Sequence, residues 1–196
     1  MKRIVSLFIA SVFVVCALTE AQAQSRSIER KERKMERKLK REERLEKDSI
    51  MGAIDFNSAY QAIKNQAFVV EANSIQPMNG QVFYVNSNTN FVSLNNGQAM
   101  VQIASNSPYP GPNGLGGITV QGSASNIQTK QDDKGNVYLS MSVQGTFISA
   151  TINLMLMNGT NNATVTVDPN FSGRTLEMNG PLYPYSQANI FQGTTY

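Results

Sequence analysis

The chain has no histidine, no tryptophan and a single cysteine, Cys16. Each absence removes a chemistry. Without an imidazole, the serine triad and His-ligated zinc sites are excluded as usually built. A lone thiol forms no internal disulfide, so the fold must rest on core burial. If Cys16 is discarded with an export signal, thiol catalysis goes with it. Charge is also scarce where a folded body is expected. Residues 49–196 hold 10 charged side chains in 148, against 18 in 23 for residues 26–48.

The N-terminus reads as a signal for export. Lys2 and Arg3 precede an apolar run of 15 residues, 4–18, and Ala21-Gln22-Ala23 supplies the small residues of a cleavage site. Cleavage after Ala23 leaves Gln24 as the first residue. A permanent span needs about 20 apolar residues, so no transmembrane span is expected in the mature chain. Cys16 follows Phe13-Val14-Val15 and is followed by further apolar sequence. That context fits a discarded apolar core better than a lipid anchor. The expected location is the periplasm or cell envelope of a Gram-negative bacterium.

Residues 26–48 carry 11 basic and 7 acidic side chains and no Gly or Pro, which predicts a charged helix. Ser27 can cap it. Glu29/Arg33, Glu36/Lys40 and Glu43/Lys47 stand four apart, each pair worth about 0.2–0.5 kcal/mol. Such a helix serves as a solvated spacer. The other reading is an arm for an anionic surface of lipid or polysaccharide. Nucleic acid is a poor partner for an exported chain. Asp48-Ser49-Ile50 resembles a bacterial O-glycosylation signal, although a helix end or loop is the favoured account of three residues. Asn158-Gly159-Thr160 and Asn162-Ala163-Thr164 match the N-glycosylation pattern but read as turn chemistry.

The body, 49–196, is long enough to bury one core. An amphipathic helix is predicted over 56–66, capped by Asp55 or Asn57. Beyond it the period becomes 2. Val137, Leu139, Met141 and Val143 alternate with polar residues, as do Ile148, Ala150, Ile152, Leu154 and Leu156, and Ala163, Val165 and Val167. Asn-Gly and Asp-Lys-Gly signals separate the runs. Strands are expected at 67–75, 81–87, 90–95, 98–104, 117–121, 124–130, 136–145, 147–157, 162–168 and 174–179. The fold class is therefore mainly β: an antiparallel meander forming a small barrel or sandwich with one covering helix, preceded by a long charged helix.

From 67 to 181 the body resembles a family of secreted bacterial proteins, domain-of-unknown-function family 4251. The resemblance lies in Phe68-Val69-Val70-Glu71-Ala72-Asn73, Pro77-Met78-Asn79-Gly80, Ser107-Pro108-Tyr109-Pro110-Gly111, Gly114-Leu115-Gly116-Gly117-Ile118 and the closing β-run. It implies a secreted or envelope β-rich domain and brings no activity, ligand or catalytic residue. The charged arm and the tail after Pro181 lie outside it.

The remaining reactive side chains are carboxylates and four basic residues. Glu71 and Glu177 are the only carboxylates within expected strands. A glycan hydrolase needs such a pair about 5–9.5 Å apart across a groove, but a place on a polar outer face is the favoured reading of both side chains. Asp132-Asp133 and Asp168-Pro169-Asn170 read as turns; the latter lacks the alternating oxygen ligands of a calcium loop. The most distinctive segment is 108–117, PYPGPNGLGG. It lacks the Gly-Lys-Ser/Thr of a phosphate loop. Its glycines leave backbone N–H groups open to close approach, so Tyr109, Asn113, Gly114, Gly116 and Gly117 are the candidate ligand-binding residues. No metal, cofactor or catalytic residue is expected. Tyr183, Tyr185, Phe191 and Tyr196 in the tail either bind sugar faces or polymer chains or pin the tail to the body; pinning is favoured. The functional expectation is a non-enzymatic envelope domain binding a ligand or partner. The alternatives are a hydrolase using Glu71 and Glu177, or a structural envelope component.

Overall fold

The computed structural model describes residues 2–105, 109 and 111–195, with side chains from Arg30 onward. The side chains of residues 1–29, Cys16 and Ser27 among them, lie outside that range, as do Pro108, Pro110 and Tyr196. The chain divides into two compact units, Met1–Ser49 and Ile50–Tyr196.

Helix α1 (Lys2–Lys64) runs without a break. The expected second start, with its cap at Asp55 or Asn57, is absent. Nothing between 49 and 55 forces a break. Only Gly52 disfavours helix there, at about 1 kcal/mol, and that glycine has a use. A Cβ on Gly52 would lie 2.4 Å from the carbonyl oxygen of Gly159, so its absence admits the turn that follows the eighth strand. In the first unit residues 30–49 are all exposed. Lys40 Nζ donates to Glu36 at 2.7 Å and Lys38 stands 3.8 Å from Glu42, both in water. In the second unit the helix ends in a Schellman arrangement. Gln66, at φ 52°, donates to Ile63 O, and Ala67 N–H donates to Ala62 O, both at 3.0 Å.

Ten strands follow: β1 (Phe68–Glu71), β2 (Ser74–Pro77), β3 (Phe83–Tyr84), β4 (Phe91–Asn95), β5 (Gln98–Ile103), β6 (Ile118–Gln131), β7 (Val137–Gln144), β8 (Ser149–Leu156), β9 (Asn162–Pro169) and β10 (Leu176–Pro184). β4 to β10 form an antiparallel meander. β1 pairs with both β4 and β10, closing an eight-stranded barrel. That closure decides between barrel and sandwich. The β2–β3 hairpin joins the free stretch of β10, with Met178 opposite Ile75.

The alternation read from the sequence fills the barrel. Leu139, Met141, Ile152, Leu154, Val165, Met178 and Leu182 belong to one buried cluster, with Ala59, Ala62 and Ile63 of α1 packed into it. The helix therefore covers the barrel where β1 starts and β10 ends.

Four stretches differ from expectation. The run 81–87 shortens to the two-residue β3. The run 67–75 is two strands, because at Ala72-Asn73 the chain changes partners: Ala72 N–H donates to Asn90 O and Asn73 N–H to Asn179 O. The runs 117–121 and 124–130 are one strand, β6. Gly122 there marks a close approach of strands, since a Cβ would lie 2.7 Å from Gln144 carbonyl atoms. A bulge between Ser125 and Gln128, with Asn126 at φ 52°, turns the rest of β6. Finally, β10 extends beyond 179 to Pro184, because its later residues pair with β1.

Candidate functional site

The outer face of β4–β6 is not the solvated skin that alternation predicts. Gln102 points away from the barrel interior yet is 0 % exposed. Its Nε2 donates to the carbonyls of Thr89 (2.9 Å) and Phe191 (2.8 Å), while its Oε1 accepts from Thr119 Oγ1 and Gly193 N–H, both at 2.8 Å. The C-terminal tail lies over this network. Phe191 N–H also donates to Asn88 O, and Asn189 N–H donates to the Glu71 carboxylate at 2.7 Å. The tail is thus held to the body through its backbone rather than through the aromatic rings favoured from its sequence: the Phe191 ring is 61 % exposed, and Tyr196 lies outside the described residues.

Asn113 is the second centre, at 1 % exposure. Its Nδ2 donates to Ile103 O (3.0 Å) and Thr119 Oγ1 (3.3 Å), and its Oδ1 accepts from the N–H groups of Leu115 (2.9 Å) and Gly117 (3.0 Å). Both donors and both acceptor positions of the amide are therefore used within the chain. Gly114 and Gly116 take φ of 76° and 78°, which the turn around Asn113 requires. Gly117 lets the loop cross β5, since a Cβ would lie 2.0 Å from Ile103 O. Tyr109 stands 78 % exposed. Four of the five candidate residues thus shape the loop.

Beside this loop lies a cleft of about 580 Å³, within the 300–1,000 Å³ typical of small-molecule sites. It opens at the end of β5 and the start of β10, away from the end that α1 covers. Ile75, Val85, Ile103 and Leu176 form its floor against the core, and Pro77, Phe83, Tyr84, Ala104 and Leu115 form its walls. None of the five candidate loop residues lines it; Leu115, between Gly114 and Gly116, and Ser105, ahead of the loop, do. Two of its polar side chains, Asn90 and Ser105, bond within the chain. Asn90 donates to Asn86 O (2.9 Å) and accepts from Ala104 N–H (2.8 Å), and Ser105 donates to Gly116 O (2.7 Å). The apolar lining residues were missed because an aliphatic side chain at a strand end carries no sequence mark distinguishing mouth from core.

The other candidates fall elsewhere. Glu71 and Glu177 both alternate with core-facing residues, Val70 and Met178, and so take outer-face positions; neither lines the cleft. Glu177 accepts from Asn179 Nδ2 at 2.9 Å. Asp132 organises the β6–β7 turn. Hydrogen bonds from the Asn136 amide above all, then from the N–H groups of Asn136 and Lys134 and the Tyr138 hydroxyl, hold its carboxyl below the usual aspartate value. Asp168 accepts from Thr175 Oγ1 at 3.0 Å. Among the described residues no group of three or more acidic or Cys side chains is arranged to hold a metal ion, and no helix is long and apolar enough to cross a membrane.

No curated protein matches the sequence. A crystal structure at 1.95 Å resolution of a DUF4251 family protein from Bacteroides eggerthii DSM 20697 is similar, with 50 % identity and a TM-score of 0.63, covering 73 % of this chain and 96 % of that one. The family model described as a domain of unknown function, DUF4251, matches residues 52–182. That range begins at Gly52 and not at Ala67, so it takes in the end of α1 that covers the barrel. The chain belongs to the DUF4251 family.

Proposed function

We propose that this protein is an exported, non-enzymatic envelope domain that binds a ligand in the cleft lined by the β2–β3 hairpin, residues 103–105 and Leu115. The observation that carries the reading is the cleft itself, a concavity of about 580 Å³ whose aliphatic floor is continuous with the core. Binding in place of chemistry is supported by the residues available. The chain has no His, its single Cys lies in the expected signal, and the buried amides beside the cleft hold the fold. Lys2, Arg3, the apolar run 4–18 and Ala21-Gln22-Ala23 support export and, with it, a periplasmic or envelope location. The charged residues 30–48, exposed throughout, act as a solvated spacer.

Methyl spectra of the Ile-, Leu- and Val-labelled protein test the site. With a set of apolar, sugar and anionic fragments, binding should shift the methyls of Ile75, Val85, Ile103, Leu115 and Leu176 and leave those of Leu139 and Leu154 in place. If no fragment moves the cleft methyls, the site is wrong. Export is tested on the same protein recovered from envelope fractions, whose N-terminal residue should be Gln24; an intact Met1 would refute it.

A further inference from the structure

Resting on that reading of the cleft, we infer that its ligand is an uncharged, chain-like apolar molecule, such as an alcohol, ester or hydrocarbon. An acid or a phosphate does not fit the site.

The first observation is electrostatic. Among the described residues, no charged side chain lines the cleft. Between Glu71 and Lys130 the sequence contains no charged residue at all, a run that supplies every lining residue except Leu176. Whatever course residues 106–108 and 110 take, they bring no charge to it. The second is hydrogen bonding. Three of the polar lining side chains bond within the chain: Asn90 with Asn86 and Ala104, Ser105 with Gly116, Thr89 with Asn86. A carboxylate or phosphate entering the cleft would lose its water and find neither a cation nor an uncommitted N–H cluster, which disfavours ions far more than neutral chains. The third is the rim. Phe83 is 44 % and Tyr84 89 % exposed on the two-residue strand β3, beside exposed Val82 and Met78. Contiguous exposed apolar surface at a cleft mouth marks a binding surface, and a chain longer than the floor would lie along these side chains. The nearest charges in sequence are Arg174 and Glu177, which flank Leu176 without lining the cleft.

The test uses the full chain and the fluorescence of N-phenyl-1-naphthylamine, a neutral apolar probe. It is displaced by 1-dodecanol, dodecanoate or dodecyltrimethylammonium at pH 8, below their micelle concentrations. The alcohol should displace the probe at concentrations at least tenfold lower than either ion. A second variant keeps the inference falsifiable. Ser105→Lys places a cation at an exposed lining position, so it should raise the affinity for dodecanoate relative to dodecanol about tenfold. Equal or tighter binding of an ion by the unaltered protein overturns the inference, as does a dodecanoate preference abolished by Arg174→Ala. In those outcomes the cleft stands as the site, because its methyls still shift. If no chain binds and no cleft methyl moves, the site itself is lost.

Discussion

Replacing Gln102 by Leu keeps the volume of the side chain and removes four hydrogen bonds of 2.8–2.9 Å at a fully buried position. The losses are unequal. The Thr119 hydroxyl is fully buried and loses its acceptor, which costs about 1–3 kcal/mol. The Thr89 and Phe191 carbonyls and the Gly193 N–H can regain water once the tail lifts, at about 0.5–1.5 kcal/mol each. Allowing for the apolar gain of a buried leucine, the net loss is about 3–5 kcal/mol. For a domain near 150 residues this lowers Tm by about 10 °C or more. Thermal unfolding followed by circular dichroism gives the first readout. Limited proteolysis gives the second, because residues 188–195 should become cleavable before the barrel does. Gln102→Glu sharpens the argument. Its carboxyl must stay protonated to donate to either carbonyl, so its pKa in the fold is raised above the usual value near 4.3. Its stability should therefore be greatest below that pH and fall as pH rises through the raised value. A loss below about 1 kcal/mol in Gln102→Leu, with the tail still resistant, would refute the account of the tail as held by this side chain.

Two further outcomes follow from the geometry. Gly180→Ala should destabilise severely, by about 4 kcal/mol or more, because the new Cβ would lie 2.0 Å from the Glu71 carbonyl oxygen and two strands would have to part. Gly173→Ala, in open space, is the matched control and should change Tm negligibly in the same denaturation assay. A carboxyl-detected NMR titration should find Asp132 ionising below the usual 3.8. The contribution of its turn to stability is then present above that pH and is lost as pH falls through the lowered value. Titration at or above 3.8 would count against the hydrogen-bond cage around it.

Much of the barrel is legible in the chain because period 2 is a local property. Val137 to Val143 and Ala150 to Leu156 alternate in sequence and pair residue for residue in the sheet, Leu139 with Leu154 and Met141 with Ile152. Turn signals such as Asn158-Gly159 also act locally, and Gly159 takes the positive φ expected of it. The helix start was misplaced because Asp55 and Asn57 cap only a helix that must begin there, and this one continues from upstream. The candidate site was legible only to the neighbourhood. Of the described residues of loop 108–117, only Leu115 borders the cleft, while Asn113 turns inward to hold the loop's own backbone; Ser105, ahead of the loop, also lines it.

The amino-acid sequence alone settled which residues alternate, where the chain turns, the concentration of charge in one helical segment and the lack of imidazole. Each of those depends on neighbours a few positions away. Tertiary structure alone decided that the sheet closes through β1 and β10, that Gly122 and Gly180 mark close backbone contacts, and that Gln102 and Glu71 are buried on an outward face. Those outcomes depend on contacts between residues about 90 to 120 positions apart, as between Gln102 and Gly193 or Glu71 and Asn189. A tail that covers a polar surface leaves no trace in the local pattern of the strand it covers.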